Sequence, residues 1–140
     1  MQQTSFTITT RGQGLYEFTD EVTTWVRKTG VGAGLLTLFL RYTSCSLLIQ
    51  ENADPEVQQD LCAFFCGLVP PTTDPCMSYL RHTYEGPDDM PAHIKAAMLP
   101  VSLSIPIRDG RPGLGTWQGI YVFEHRDALH RRQVLGHLAS

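Results

Sequence analysis

The 140-residue sequence predicts a β-dominated α+β fold, a sandwich of mainly antiparallel strands carrying two or three helices. Three observations lead there. Short runs of apolar and β-branched residues recur along the chain, punctuated by glycine and proline. Val101, Leu103, Ile105 and Ile107 alternate strictly, the period of a strand with one buried face. Helical spacing of apolar residues is confined to three short stretches, near residues 20–30, 55–68 and 92–98.

In chain order, residues 5–10 alternate and read as a strand that Gly12 and Gly14 break. Thr19 or Asp20 can cap a helix ending near Gly30, with Val22, Trp25 and Val26 on one face. Residues 35–40 and 46–50 are continuously apolar, as in strands buried on both sides. Asp54 and Pro55 give the clearest helix start, a cap oxygen followed by a residue that needs no N–H. Val57, Leu61, Phe64, Phe65 and Leu68 then form one expected core face. Residues 70–91 are rich in Pro, Asp, Gly and Thr, a long irregular stretch of the kind that carries function. Pro91 opens a short helix, and Pro106 belongs on the outward or edge side of its strand. Residues 119–124 form a strand, and residues 130–138 read as its hairpin partner, turning at Asp127 and Ala128.

Hydrophobic residues make up 42% and charged residues 18% of the chain, which fits one globular domain over residues 1–140 rather than a disordered segment. The net charge of -3 argues against a nucleic-acid partner. No apolar run approaches the roughly 20 residues of a membrane span, and the opening residues lack a signal-peptide pattern. The expectation is a cytoplasmic protein with no membrane partner. Cys45, Cys62, Cys66 and Cys76 form no C-x-x-C pair. Cys62 and Cys66 share a helix face, a possible metal pair, but reduced thiols acting as small hydrophobes are the stronger reading.

His82, His93 and His125 lie in loops or at element ends, where polar groups can converge on a scaffold. Three imidazoles with an open fourth position make a catalytic zinc site, although this spacing is no recognised metal signature. Each histidine could equally satisfy its own loop. Glu85, Asp88 and Asp89 lie close by in sequence and can orient an imidazole, or simply form a solvated acidic loop. Glu124 and His125 are strand neighbours, so they point to opposite faces. Ser44 offers a hydroxyl at a strand interruption, and Glu51 and Asn52 precede a helix N-terminus. Trp117 and Gln118 lie in a glycine-rich stretch that lacks the context of a dinucleotide fingerprint. Trp117 can stack on a planar ring or serve packing.

These segments resemble one family in order. The motifs are Thr43-Ser44-Cys45-Ser46-Leu47 with Glu51-Asn52-Ala53-Asp54-Pro55; His82 to Gly86 with Met90-Pro91-Ala92-His93-Ile94-Lys95; and Leu114-Gly115-Thr116-Trp117-Gln118-Gly119 with Glu124-His125-Arg126. They are similar to the YjbQ-like family, often labelled secondary thiamine-phosphate synthase. The resemblance implies a β-rich sandwich assembled as a homotrimer, with sheets packed about the threefold axis. It also implies a polar pocket holding the family's histidines, and a weak capacity to join a pyrimidine pyrophosphate to a thiazole phosphate. One position departs: the family commonly has His where this chain has Tyr42, a poor metal ligand and a poor base.

The resulting expectation is an enzyme acting on a small phosphorylated heterocycle. His82, His93 and His125 serve as ligands of a divalent metal, zinc or magnesium, or as proton handlers, with Glu85 beside them. Lys95 and Arg126 hold phosphate, Ser44, Asn52 and Gln118 orient the substrate, and Trp117 stacks on its ring. The alternative is a non-catalytic trimeric module that binds a metal ion or a phosphorylated metabolite.

Overall fold

A computed structural model describes residues 2–140. The elements are β1 (Gln2–Arg11), β2 (Gly14–Glu17), α1 (Thr19–Thr29), β3 (Gly34–Leu40), β4 (Cys45–Glu51), α2 (Pro55–Leu68), α3 (Asp89–Met98), β5 (Ser102–Arg108), β6 (Arg111–Pro112), β7 (Gln118–Glu124) and β8 (Leu129–Ala139). A 3₁₀ turn, Pro75–Met77, interrupts the long loop before α3. The strands form two antiparallel sheets, β1-β8-β3-β5-β6 and β2-β7-β4. The β-dominated antiparallel architecture with three helices is the one the sequence predicts.

One core lies between the sheets. Phe6, Ile8, Leu36, Leu38, Ile105, Val134 and Leu138 of the larger sheet meet Leu47, Ile120 and Val122 of the smaller one, and Phe18, Val22 and Val26 join them from α1 and the residue before it. Burying each such aliphatic side chain contributes about 1.5–3 kcal/mol. Asp54 caps α2 as expected, its Oδ1 accepting from Glu56 N at 2.9 Å. Helix α1 instead has Phe18 at its N-cap without a side-chain cap bond. Thr19 lies inside the helix, where its Oγ1 accepts from Ile120 N and ties α1 to β7. Gly30 ends α1 in the left-handed region, which a glycine enters without a Cβ clash.

Three expectations change. Strand β8 is not the hairpin partner of β7: both edges of β7 are already taken by β2 and β4, so the chain crosses to the other sheet and inserts between β1 and β3. Helix α2 has no buried residue. Its Phe65 packs on Phe123 at 5.6 Å between ring centroids, but Phe64 and Leu68 are 62% and 54% exposed. The helix therefore lies on the smaller sheet by a narrow stripe rather than a full face. Strand β3 alternates in burial, with Leu35 and Phe39 exposed, whereas β7 is the strand covered on both faces. On β7, Ile120 and Val122 enter the core, while Tyr121 and Phe123 lie under α2, with Gln58 Nε2 donating to the Tyr121 hydroxyl.

Candidate functional site

The long loop and the first turns of α3 bring together a histidine–aspartate cluster. Asp89 and His93 are four residues apart on α3 and so share a face. His82 reaches them from the loop. Asp89 Oδ2 lies 2.8 Å from His82 Nε2 and 3.2 Å from His93 Nε2. The ligand-bearing atoms of His82, Asp89 and His93 all lie within 4.8 Å of one another. Glu85 Oε2 stands 3.4 Å from His82 Nε2, on the more exposed side. The carboxylate of Asp89 is buried while both imidazoles are about one-third exposed, so the anion is fixed and both Nε2 atoms turn toward it from rings that solvent reaches.

Arg126 fixes that anion. Its Nη1 donates to Asp89 Oδ1 at 2.7 Å, its Nε to Asp88 Oδ2 at 2.9 Å, and its Nη2 to the Glu85 carbonyl at 3.1 Å. Asp127 N also donates to Asp88 Oδ2. Burial pushes both aspartates up, yet the hydrogen bonds outweigh it: Asp88, held by Arg126 and Asp127 N, and Asp89, held by His82 and facing Arg126, both stay below the usual carboxylate value. Arg126 is thereby spent on the protein's own carboxylates, and its expected role as a phosphate holder gives way to positioning Asp89.

Beside His93 lies a hollow of about 420 Å³ lined by Tyr42, Thr43, Ala96, Ala97 and Val101. Tyr42 therefore faces the same space as His93. Its hydroxyl accepts from Gln133 N at 3.0 Å, and the Arg132 guanidinium lies 4.9 Å from its ring centroid.

His125 does not join this cluster. It is buried beneath Phe123, at 4.6 Å between ring centroids, with Nε2 2.9 Å from Ser46 Oγ. Its Nδ1 is buried without a partner among the described residues. Burial, reinforced by Lys95, drives its pKa down to about 3, so it stays neutral at physiological pH. Glu124 points to the opposite face, as strand geometry requires, and is buried as well. It takes two hydrogen bonds from Arg132, at 2.8 and 2.6 Å, and one from Thr10 at 2.5 Å. Ser44 belongs to this inner group, its Oγ accepting from Arg132 at 2.9 Å. Burial raises the Cys45 thiol to about 12, well away from a reactive thiolate.

The remaining expected residues lie elsewhere. Lys95 is two positions after His93, on another face of α3, and donates to Gln13 Oε1 at 2.8 Å; burial lowers its pKa. Asn52, Trp117 and Gln118 sit at the far end of the β4–β7 pair, where Glu51 faces Gln118, whereas Cys45 faces Glu124 at the other end. Seven residues of strand separate these ends by roughly 20 Å. Asn52 Nδ2 donates to Glu17, Gln118 Oε1 accepts from Gly115 N, and Trp117 is 63% exposed. Within one chain these three cannot serve the histidine cluster. Sequence reasoning left Asp89 as half of an acidic pair and missed the Thr10–Glu124–Arg132 group. The i, i+4 spacing of Asp89 and His93 was the available signal for the first.

The profile of the YjbQ family, described as UPF0047 protein YjbQ-like, matches residues 4–140. The chain belongs to this YjbQ-like family. It is 49% identical to a UPF0047 protein of Synechocystis over 133 residues, covering 95% of this chain and 88% of that one. It is 40% identical to the UPF0047 protein YjbQ of Escherichia coli O157:H7, covering 97% and 96%. Among solved structures, a YjbQ/UPF0047-family protein from Clostridium acetobutylicum superposes with a TM-score of 0.81 at 30% identity, covering 99% and 100%. A hypothetical protein from Aeropyrum pernix K1 gives 0.87 at 26%, covering 100% and 99%. Among the described residues of this YjbQ-like chain, no helix is long and apolar enough to cross a membrane.

Proposed function

We propose that this chain is a metal-dependent transferase with weak thiamine-phosphate synthase-type activity, joining a pyrimidine pyrophosphate to a thiazole phosphate at the His82–Asp89–His93 cluster. The reading rests on one observation: two imidazole nitrogens and a buried carboxylate oxygen converge within 4.8 Å, at the rim of a hollow large enough for a heterocycle. Two nitrogens and one carboxylate suit zinc better than magnesium, which prefers oxygen ligands and retained water. When bound, the ion supplies positive charge to the departing pyrophosphate.

The chain's own residues do the positioning. Arg126 grips Asp89 through Oδ1 and leaves Oδ2 toward the two imidazoles. Ala96, Ala97 and Val101 give a ring an apolar wall beside His93, and Tyr42 lines the same hollow. Glu85, the exposed carboxylate next to His82, is the group placed to exchange protons with solvent. Asn52, Trp117 and Gln118 contribute only through assembly, from a neighbouring copy in a homotrimer. Exposed Phe64 and Leu68 on α2 and Leu35 and Phe39 on β3 supply apolar surface for such contacts. The second reading, a trimeric module that binds metal or metabolite without turnover, is favoured by Tyr42: its hydroxyl and ring are engaged by Gln133 and Arg132 where the family offers an imidazole.

The deciding experiment is formation of thiamine phosphate from its two precursors with zinc or magnesium, comparing wild type, His82→Ala and Tyr42→His. Product from wild type and not from His82→Ala supports the transferase. Product only from Tyr42→His supports the binding module in this chain. Equal product from wild type and His82→Ala removes the cluster from the chemistry.

A further inference from the structure

A second cleft lies on the other side of α3 from His93. It has a volume of about 240 Å³, and Gln13, Cys66, Val69, Pro71, Thr73, Pro87, Pro91 and Lys95 are among its lining residues. Its walls are largely apolar, from Val69 and the three prolines. Gln13, Thr73, Asp88, Asp127 and Lys95 are its polar groups, and Lys95 is the one cation among them. Its side chain belongs to a residue only 2% exposed. Its Nζ donates to the neutral Gln13 Oε1 at 2.8 Å, and among the described residues no carboxylate lies within ion-pair distance of it. The two aspartates at the cleft, Asp88 and Asp127, are otherwise engaged: Asp88 by Arg126 and by Asp127 N, Asp127 Oδ1 by Gln13 Nε2. Gln13 Oε1 also accepts from Cys66 Sγ, at 3.5 Å, so the acceptor that Lys95 does have is shared.

A buried ammonium normally has an anionic partner, because the charge loses its hydration on burial. Among the described residues no carboxylate pairs directly with Lys95, Asp88 and Asp127 acting on it only from longer range, and the cleft it lines is open. We propose that this cleft is a binding site for a small apolar monocarboxylate, whose carboxylate completes an ion pair with Lys95 Nζ and whose carbon body lies against Val69 and the prolines. The volume falls below the usual range for small-molecule sites, which restricts the ligand to a short chain or a single ring. A single ammonium matches one carboxylate. A phosphate dianion calls for several donors, which the prolines and Val69 do not offer. The site is distinct from the His82–Asp89–His93 cluster, with Arg126 bridging Asp88 at the cleft to Asp89, and needs no metal.

The test uses benzoate as the probe and benzamide as its uncharged twin, titrated into the full chain with EDTA present, by calorimetry and by amide chemical-shift mapping. The expected result is saturable benzoate binding, with shifts centred on Gln13, Cys66, Val69, Thr73 and Lys95, and benzamide weaker on the order of tenfold or more, as fits the loss of one buried charge partner. Lys95→Met, which keeps the stem and removes the charge, abolishes the difference between the two probes. Thr73→Trp, at the exposed rim, blocks both without touching Lys95. Absence of benzoate binding in the wild type, equal binding of the twin, or shifts centred on His82 and His93 instead would each overturn the proposal. Because metal is excluded, failure here leaves the reading of the histidine cluster untouched.

Discussion

Two carboxylate–arginine pairs, each with histidine close by, stand in contrast among the described residues, one open and one sealed. At the open one, Asp89 is buried but His82 and His93 reach solvent, and Arg126 holds the aspartate from behind. At the sealed one, Glu124, Arg132, Ser46 and His125 are all buried, and Nδ1 of His125 has no partner among the described residues. The residue types are nearly the same. What separates them is water. The open group has two imidazoles about one-third exposed around a buried carboxylate, which leaves it within reach of a ligand from solvent. The sealed group has its charges matched inside the core, and a substrate has no route to the Ser46–His125 pair. A serine and an imidazole 2.9 Å apart are therefore scaffold here rather than a nucleophile and its base.

The comparison can be pressed from both sides. Glu124→Ala leaves the Arg132 guanidinium buried without its carboxylate, and the expected loss is about 3–5 kcal/mol in a denaturant titration. A loss below about 1 kcal/mol would mean that water reaches the sealed group and that the contrast is false. For the zinc site proposed at the open group, Asp89→Asn should weaken zinc binding by on the order of 100-fold, read by competition with a chromophoric chelator. Unchanged zinc affinity would remove Asp89 from the ligand set.

Acid provides a third handle. The folded state keeps His125 neutral, with a pKa of about 3, while the unfolded chain takes up that proton near pH 6.5. The unfolded state thus binds more protons, and stability falls as the pH drops from about 6.5 toward 3, at no more than roughly 1.4 kcal/mol per pH unit. His125→Gln should lack the part of this slope above pH 5, whatever its stability at neutral pH. The depressed carboxylates Asp88, Asp89 and Glu124 lose their stabilising contribution only further down, as the pH passes below the ordinary carboxylate range. If wild type and His125→Gln show the same slope between pH 6.5 and 5, the imidazole is hydrated. The smallest effect belongs to Glu85→Gln. An exposed carboxylate 3.4 Å from His82 should change zinc affinity by less than about threefold and stability by less than about 0.5 kcal/mol.

The sheets were legible because strand periodicity and turn residues are local signals. The alternation at Val101, Leu103, Ile105 and Ile107, the Asp54–Pro55 helix start and the break at Gly12 and Gly14 all reappear in the structure. Strand pairing was not legible. Nothing local states that β7 is enclosed by β2 and β4, so the sequence points instead to the next strand along, β8, as its partner. The same limit governs the site. His82 and His93 flank an irregular loop, a pattern readable from sequence. That His125 faces inward depends on which face of β7 is covered by α2, a tertiary fact. Periodicity also gave α2 an apolar stripe without saying how much of it touches this chain; Phe64 and Leu68 remain exposed.

The insertion of β8 between β1 and β3 has a consequence for how the chain folds. Gln2 lies opposite Leu138 and Arg11 opposite Leu129, so the sheet that carries most of the core is joined by contacts of very high sequence separation. Such topologies fold slowly, because loop closure precedes the contacts that reward it. During synthesis β3 can pair with β5, but β1, with Phe6 and Ile8, has no strand to pair with until residues 129–139 have emerged. Arg126, immediately upstream of β8, comes late as well, so the clasp on Asp89 closes among the last events. A nascent or truncated chain without residues 126–139 lacks both the interior strand that joins β1 to β3 and the anchor of its aspartate, and presents unpaired strand edges to any neighbour.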